Sequence, residues 1–210
     1  MPGQAAETDD EAMNETHAPL ANGATSIPPA GRYRIDTERS AITITTRHLF
    51  GLGPVRATLA LRDGRIQVND PVAGSTVRAS AAAVSFRSGN DARDAAVLSP
   101  RLLDAATYPS LTFVSTALER ESESDTAGAA GNEGRWLLRG ELEVRGVGRL
   151  VETAIATVSA HGGTLHAAAR LRVDRYDFGI TAYRGLAARW LTVDLDIIAE
   201  ADQQTAKDEA

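Results

Sequence analysis

Few side chains able to act as acids, bases, nucleophiles or metal ligands fall into a recognisable catalytic or metal-binding pattern in this 210-residue chain. The absence of cysteine excludes disulfides, thiolate metal sites and thiol chemistry. Four histidines, at 17, 48, 161 and 166, lack metal-ligand spacing, and neither a nucleophile elbow nor a glycine-rich phosphate loop is present. Two constellations remain. His48 closes a strand-like run beside Leu49-Phe50, where its ring could reach a polar head group or serve as a structural hydrogen-bonder. Arg93-Asp94 could contact a phosphate or hydroxyl, or could bond loop backbone and hold it in place. If the fold brought His48 to Asp94, the pair could serve a hydrolase or isomerase; Ser99, standing before Pro100, is accounted for as a helix cap.

The elements that must position these residues centre on 85–113, where strand-like sequence gives way to helix-like sequence. Ser88-Gly89-Asn90-Asp91 is a turn cluster that supplies N-cap oxygens for a short helix over 92–98. Ser99-Pro100 opens a second predicted helix with Leu102 and Leu103 beneath it, and Tyr108-Pro109 stops it before a strand begins at Leu111 and Phe113. The stretch is expected to form a lid beside which a ligand enters.

Around it the chain alternates polar and apolar residues at the period of strands with one buried face. Residues 40–48 carry Ile42 and Ile44 between Thr43 and Thr45, following the turn-like Asp36-Thr37-Glu38-Arg39. Val55, Ala57, Leu59 and Leu61 form a return strand after a turn at Gly51-Leu52-Gly53-Pro54, and Asp63-Gly64 reads as a hairpin before 65–69. Further strands are predicted over 75–86, 111–118, 136–145, 151–160 across Gly146-Val147-Gly148, 165–173 and 190–198, with a turn at Gly162-Gly163. About eight strands joined mostly by short turns predict an all-β fold: an antiparallel up-and-down barrel with the helical insertion as its lid. Alanines at 79, 81, 83, 167 and 169 would leave room in the lumen.

Residues 1–29 are acidic with almost no large apolar side chain and read as a disordered tail, 119–134 as a flexible acidic loop and 201–210 as a loose end, leaving 31–200 as one domain. The net charge of −6 is concentrated in 1–29 (−5), 119–134 (−4) and 200–210 (−3), so the remainder is +6. Lys207 is the single lysine among 22 basic residues. Scarce aromatics and dispersed arginines argue against nucleic acid, no apolar run is long enough to span a membrane, and the N-terminus shows no secretory pattern, so a cytoplasmic location is expected. A homodimer is left open.

The order of motifs resembles the YceI-like family, lipocalin-like barrels associated with binding polyisoprenoid and other long-chain lipids. Tyr33-Arg34-Ile35-Asp36 with Ser40 and His48 is similar to the family's start. Asn90-Asp91-Ala92-Arg93-Asp94, then Leu98-Ser99-Pro100, Leu102-Leu103-Asp104, Tyr108-Pro109 and Phe113, resembles its central segment. Residues 140–148 and Arg175-Tyr176-Asp177-Phe178-Gly179-Ile180 resemble its two C-terminal motifs. Ala96-Val97 stands where the family commonly has His-Leu, Leu102-Leu103 where it often has a phenylalanine pair, and the usual threonine is missing from Gly146-Val147-Gly148. The resemblance implies a non-enzymatic carrier of a long-chain isoprenoid, quinone or related lipid, with no cofactor beyond that ligand. The residues expected to contact it are Ile42, Ile44, His48, Phe50, Ala81, Phe86, Arg93, Asp94, Leu98, Leu102, Leu103, Phe113, Phe178, Tyr183 and Trp190. The alternative is a filled barrel that acts through its surface.

Overall fold

The structure is a computed structural model and describes residues 27–48, 53–120 and 136–202. Phe50, the tail at 1–26, residues 121–135 of the predicted acidic loop, and 203–210 lie outside the described residues. Among the described residues ten strands form one antiparallel sheet: β1 (Gly31–Ile35), β2 (Ala41–His48), β3 (Gly53–Leu59), β4 (Leu61–Val68), β5 (Thr76–Ala82), β6 (Ser110–Arg120), β7 (Trp136–Val144), β8 (Val147–His161), β9 (Thr164–Asp174) and β10 (Trp190–Ala201). A single α-helix among the described residues, α1 (Asp91–Leu98), lies between β5 and β6.

β1 and β2 both pair with β10, at Ile35↔Ala199 and Thr192↔Thr45 respectively, while β4 pairs with β1 and β3 with β2. Each of these two successive pairs is therefore one wall strand with a break, and the sheet closes as an eight-stave up-and-down barrel. Closure satisfies edges that an open sheet would leave bare. The first break is built by the predicted turn: Asp36 Oδ1 accepts from the N–H groups of Glu38 and Arg39, both at 3.0 Å. Ser40 Oγ then takes the place of backbone, accepting from Ile198 N–H at 2.9 Å and donating to Ile198 C=O at 3.1 Å. At the second break, Ala60 N–H donates to Ser85 Oγ at 2.8 Å, and Thr58 and Arg87 exchange backbone bonds that cover the outer edge of β3.

Three local expectations are corrected. Asp63-Gly64 is not a hairpin: it lies inside β4 at a register shift, Ser80 Oγ donates to the Asp63 carboxylate at 2.9 Å, and a Cβ on Gly64 would come within 2.5 Å of Ile35 Cδ1. The glycine there serves close approach across the wall rather than a turn. The turn before β8 is shorter than Gly146-Val147-Gly148, because Val144 already pairs with Val147 and only Arg145 and Gly146 turn, with φ of 54° and 69°. The second helix does not form. Ser99 instead closes α1, its Oγ donating to Ala96 C=O at 2.7 Å, and the N–H groups of Leu103 and Ala105 fold back onto the carbonyls of Val97 and Leu98. Satisfying the last carbonyls of α1 uses up the donors that a second helix would have needed.

α1 itself starts where its caps predict, with Asn90 Oδ1 accepting from Arg93 N–H at 2.9 Å. Leu102 and Leu103, in the turns that follow, pack against the cluster of Val144, Val173, Phe178 and Ile180, and Leu103 also reaches that of Ala57, Leu59, Ala81 and Phe86. The helix and turns thus seal onto one end of the barrel.

Candidate ligand-binding lumen

Alternation puts Val55, Ala57 and Leu59 of β3 inward and Arg56 and Thr58 outward. On β10, Leu191, Val193, Leu195 and Ile197 face a common interior with Ala167, Ala169 and Leu171 of β9. These inward residues enclose a cavity of about 700 Å³. Apart from Arg93, Arg175 and a few hydroxyls, every lining side chain is apolar. No large side chain among the described residues is fully buried, which is the signature of a wall facing space rather than a packed core. The four inward positions of β10 alone span six residue steps, roughly 20 Å of strand.

Most hydroxyls on the wall are already occupied. Thr153 Oγ1 donates to Arg170 C=O at 2.9 Å, Ser75 Oγ accepts from Asn69 N–H at 3.0 Å, and Ser80 is held by Asp63. The polar groups concentrate at the lid end. Arg175 is buried, its Nε donating to Ala188 C=O at 2.9 Å, one terminal nitrogen to Ile180 and Ala182, and the other to Ala187 at 3.1 Å. One guanidinium therefore gathers four carbonyls and shapes the loop 175–189 over the lumen. Burial pushes this guanidinium below its usual value. Its neighbour Asp174 caps Tyr176 N–H at 2.9 Å and pairs with Arg189 at 2.6 Å; the hydrogen bond from Arg189 is the main cause holding its carboxyl low.

Of the residues singled out from sequence, Ile42, Ile44, Ala81, Phe86, Arg93, Leu102, Leu103, Phe113, Phe178 and Tyr183 line the cavity. Asp94, Leu98 and Trp190 do not. The buried carboxylate of Asp94 accepts from both the N–H and the Oγ of Ser88, and that hydroxyl is the leading cause of its lowered pKa. Arg93 Nε donates to the same Oγ at 2.7 Å and its terminal nitrogen to Ser88 C=O at 3.0 Å. Arg93 and Asp94 thus clamp the lid's entry loop. Leu98 packs under α1 with Phe86, and Trp190 is 44% exposed on the outer rim with Arg172 over its ring at 4.3 Å. His48 ends β2 opposite Gly53, beside the lid end. Of the alanines proposed to open the lumen, 79, 81, 167 and 169 do line it, while Ala83 is buried outside it.

Sequence reasoning overlooked Arg175 as the organiser of the rim; the signal was a charged pair, Asp174-Arg175, ending a strand and entering an aromatic turn. It also passed over Ala96 and Val97, which line the cavity from α1 and make the lid's underside apolar. Among the described residues no three His, Asp or Glu side chains are grouped to share a metal ion.

The sequence matches the YceI-like domain over residues 33–201. The chain belongs to the YceI-like family. Among solved structures, this YceI-like chain is similar to BcnA of Burkholderia cenocepacia, at 20% identity, covering 78% of this chain and 98% of that one with a TM-score of 0.64. It is also similar to a polyisoprenoid binding domain from Saccharophagus degradans implicated in plant cell wall breakdown, at 17% identity, 83% and 100% coverage and a TM-score of 0.59. At these identities the likeness shows the shared barrel. No curated protein is significantly similar to the chain.

Proposed function

We propose that the chain is a non-enzymatic carrier that holds one long-chain isoprenoid, quinone or related lipid in its barrel. The observation that carries this reading is the apolar cavity of about 700 Å³ running behind the lid. It falls in the size range of small-molecule sites, about 300 to 1,000 Å³. Burying hydrocarbon there gains about 0.8 kcal/mol per CH₂. A five-carbon isoprene unit therefore offers on the order of 3 to 4 kcal/mol before association and ordering costs are subtracted. A few units suffice without any polar contact. The similarity to a domain described as polyisoprenoid binding supports the same class of ligand.

With Ala96 and Val97 on the lid's underside, selection rests on chain length and shape, and Tyr183 and Arg93 are polar-tipped residues of the lining at the lid end that a head group could meet. The test is uptake in solution: the protein is mixed with a long-chain isoprenoid quinone in dilute detergent and passed over a sizing column. Co-elution of one quinone per chain supports the carrier reading, and a protein that elutes empty at every ratio would refute it.

A further inference from the structure

In an up-and-down barrel, connections alternate between the two ends, so the topology assigns every loop to one of them. The lid end holds 83–109, 145–146 and 175–189 and the strand ends that flank 49–52; the far end holds 69–75 and 162–163, the ends of β6 and β7 that flank 121–135, the start of β1 and the end of β10. All three acidic stretches therefore attach at the far end, whose connections sum to −11. At the lid end, three arginines of 83–109 balance three aspartates, and Arg145 with the loop 175–189 leaves +3. The lid end therefore carries a net positive charge on its connections, and the acidic stretches join the barrel at the opposite end.

That same lid end exposes apolar surface. Tyr183 is 39% exposed and Leu186 50% exposed, yet both also line the cavity, so they mark its mouth. Trp190 is exposed beside them. Arginines frame the patch: Arg172 lies over Trp190, and Arg184 lies 5.0 Å over Tyr176. Neither Arg172 nor Arg184 makes an ion pair among the described residues. Amphipathic rings and leucine ringed by arginine are the side chains that settle at a headgroup boundary, and anionic lipids attract the cations.

We propose that this chain docks its lid end on anionic bilayers, seating Leu186, Tyr183 and Trp190 at the headgroup level, with the acidic stretches attached at the opposite end of the barrel. The lumen's mouth then opens against the membrane, and an apolar cargo moves between bilayer and barrel without crossing water. The purpose of docking rests on the carrier reading above, but its test does not.

The chain's two tryptophans report the two ends, since Trp136 begins β7 at the far end and Trp190 sits at the rim. Full-length protein is sedimented with phosphatidylcholine vesicles, with or without phosphatidylglycerol, at rising salt. Vesicles containing a bromine-labelled acyl chain then quench either Trp190 in Trp136→Phe or Trp136 in Trp190→Phe. Docking predicts binding that needs phosphatidylglycerol and fades with salt, and quenching of Trp190 but not Trp136. Arg184→Glu should weaken partitioning roughly tenfold without changing quinone uptake in solution. Equal binding to neutral vesicles, quenching of Trp136, or a dimer that shields Trp190 without lipid would overturn the proposal. Uptake of quinone by a protein that ignores vesicles would overturn docking alone, whereas docking by a protein that takes up no quinone would uphold it and sink the carrier reading.

Discussion

The wall and the rim of this barrel are built on opposite principles. The wall is repetitive: small or branched apolar residues alternate inward, and its buried hydroxyls at Ser75 and Thr153 are spent on neighbouring groups. The rim is singular, and it buries charge, with Arg175, Asp174 and Asp94 each more than nine-tenths covered and bonded to loop backbone or a partner. A wall that depends on area tolerates many sequences and leaves space. A rim that depends on specific polar contacts fixes loops which the apolar pattern alone could not hold.

Removing the rim's centre should have the largest effect. Arg175→Ala strands one buried and three half-buried carbonyls and is expected to cost about 3 kcal/mol of stability, read by chemical denaturation. A loss smaller than 1 kcal/mol would show that the loop 175–189 holds itself. The wall is broken differently. Ala169→Phe, which projects a ring into open lumen rather than a packed cluster, should reduce lipid affinity roughly tenfold or more by displacing about one isoprene unit, with the fold retained. Ala81 is the poorer choice, because it already packs among Ala57, Leu59 and Phe86 and a ring there would overfill that cluster.

Acid sharpens the contrast. The carboxyls of Asp94 and Asp174 are held below the ordinary 3.8, so the stability they confer is complete above that value and is lost as pH falls beneath it. Melting temperature should therefore drop steeply below about pH 4, and Ser88→Ala, which lowers it by a few degrees at neutral pH, should show a shallower acid decline. Parallel declines in both proteins would contradict the role given to the Ser88 hydroxyl. The smallest effect belongs to the outer face: Arg139, paired with exposed Glu119 and Glu152, should be replaceable by alanine with no measurable change in melting temperature.

The same division explains what the sequence disclosed. Period-2 runs such as Leu191, Val193, Leu195 and Ile197 placed the wall strands and their inward faces, and Asn90 placed the start of α1. Turn dipeptides misled where tertiary contact decided the matter: Gly64 serves a close approach to Ile35, and Ser99 ends one helix instead of starting another. Trp190 was drawn into the pocket by its chemistry, yet β10 begins with that side chain pointing outward to stack with Arg172. The Asp174-Arg175 pair marked the turn but not the part Arg175 plays in it, because its four partners become neighbours only when the loop has folded.

If the barrel is a carrier, its lumen is a hydrocarbon site. Native mass spectrometry of the purified protein beside Ala169→Phe, before and after exposure to a long-chain isoprenoid quinone, tests it most directly. A hydrocarbon site gives a single added lipid mass on the unaltered chain and little or none on the variant. An unaltered chain that keeps its bare mass after exposure would contradict it.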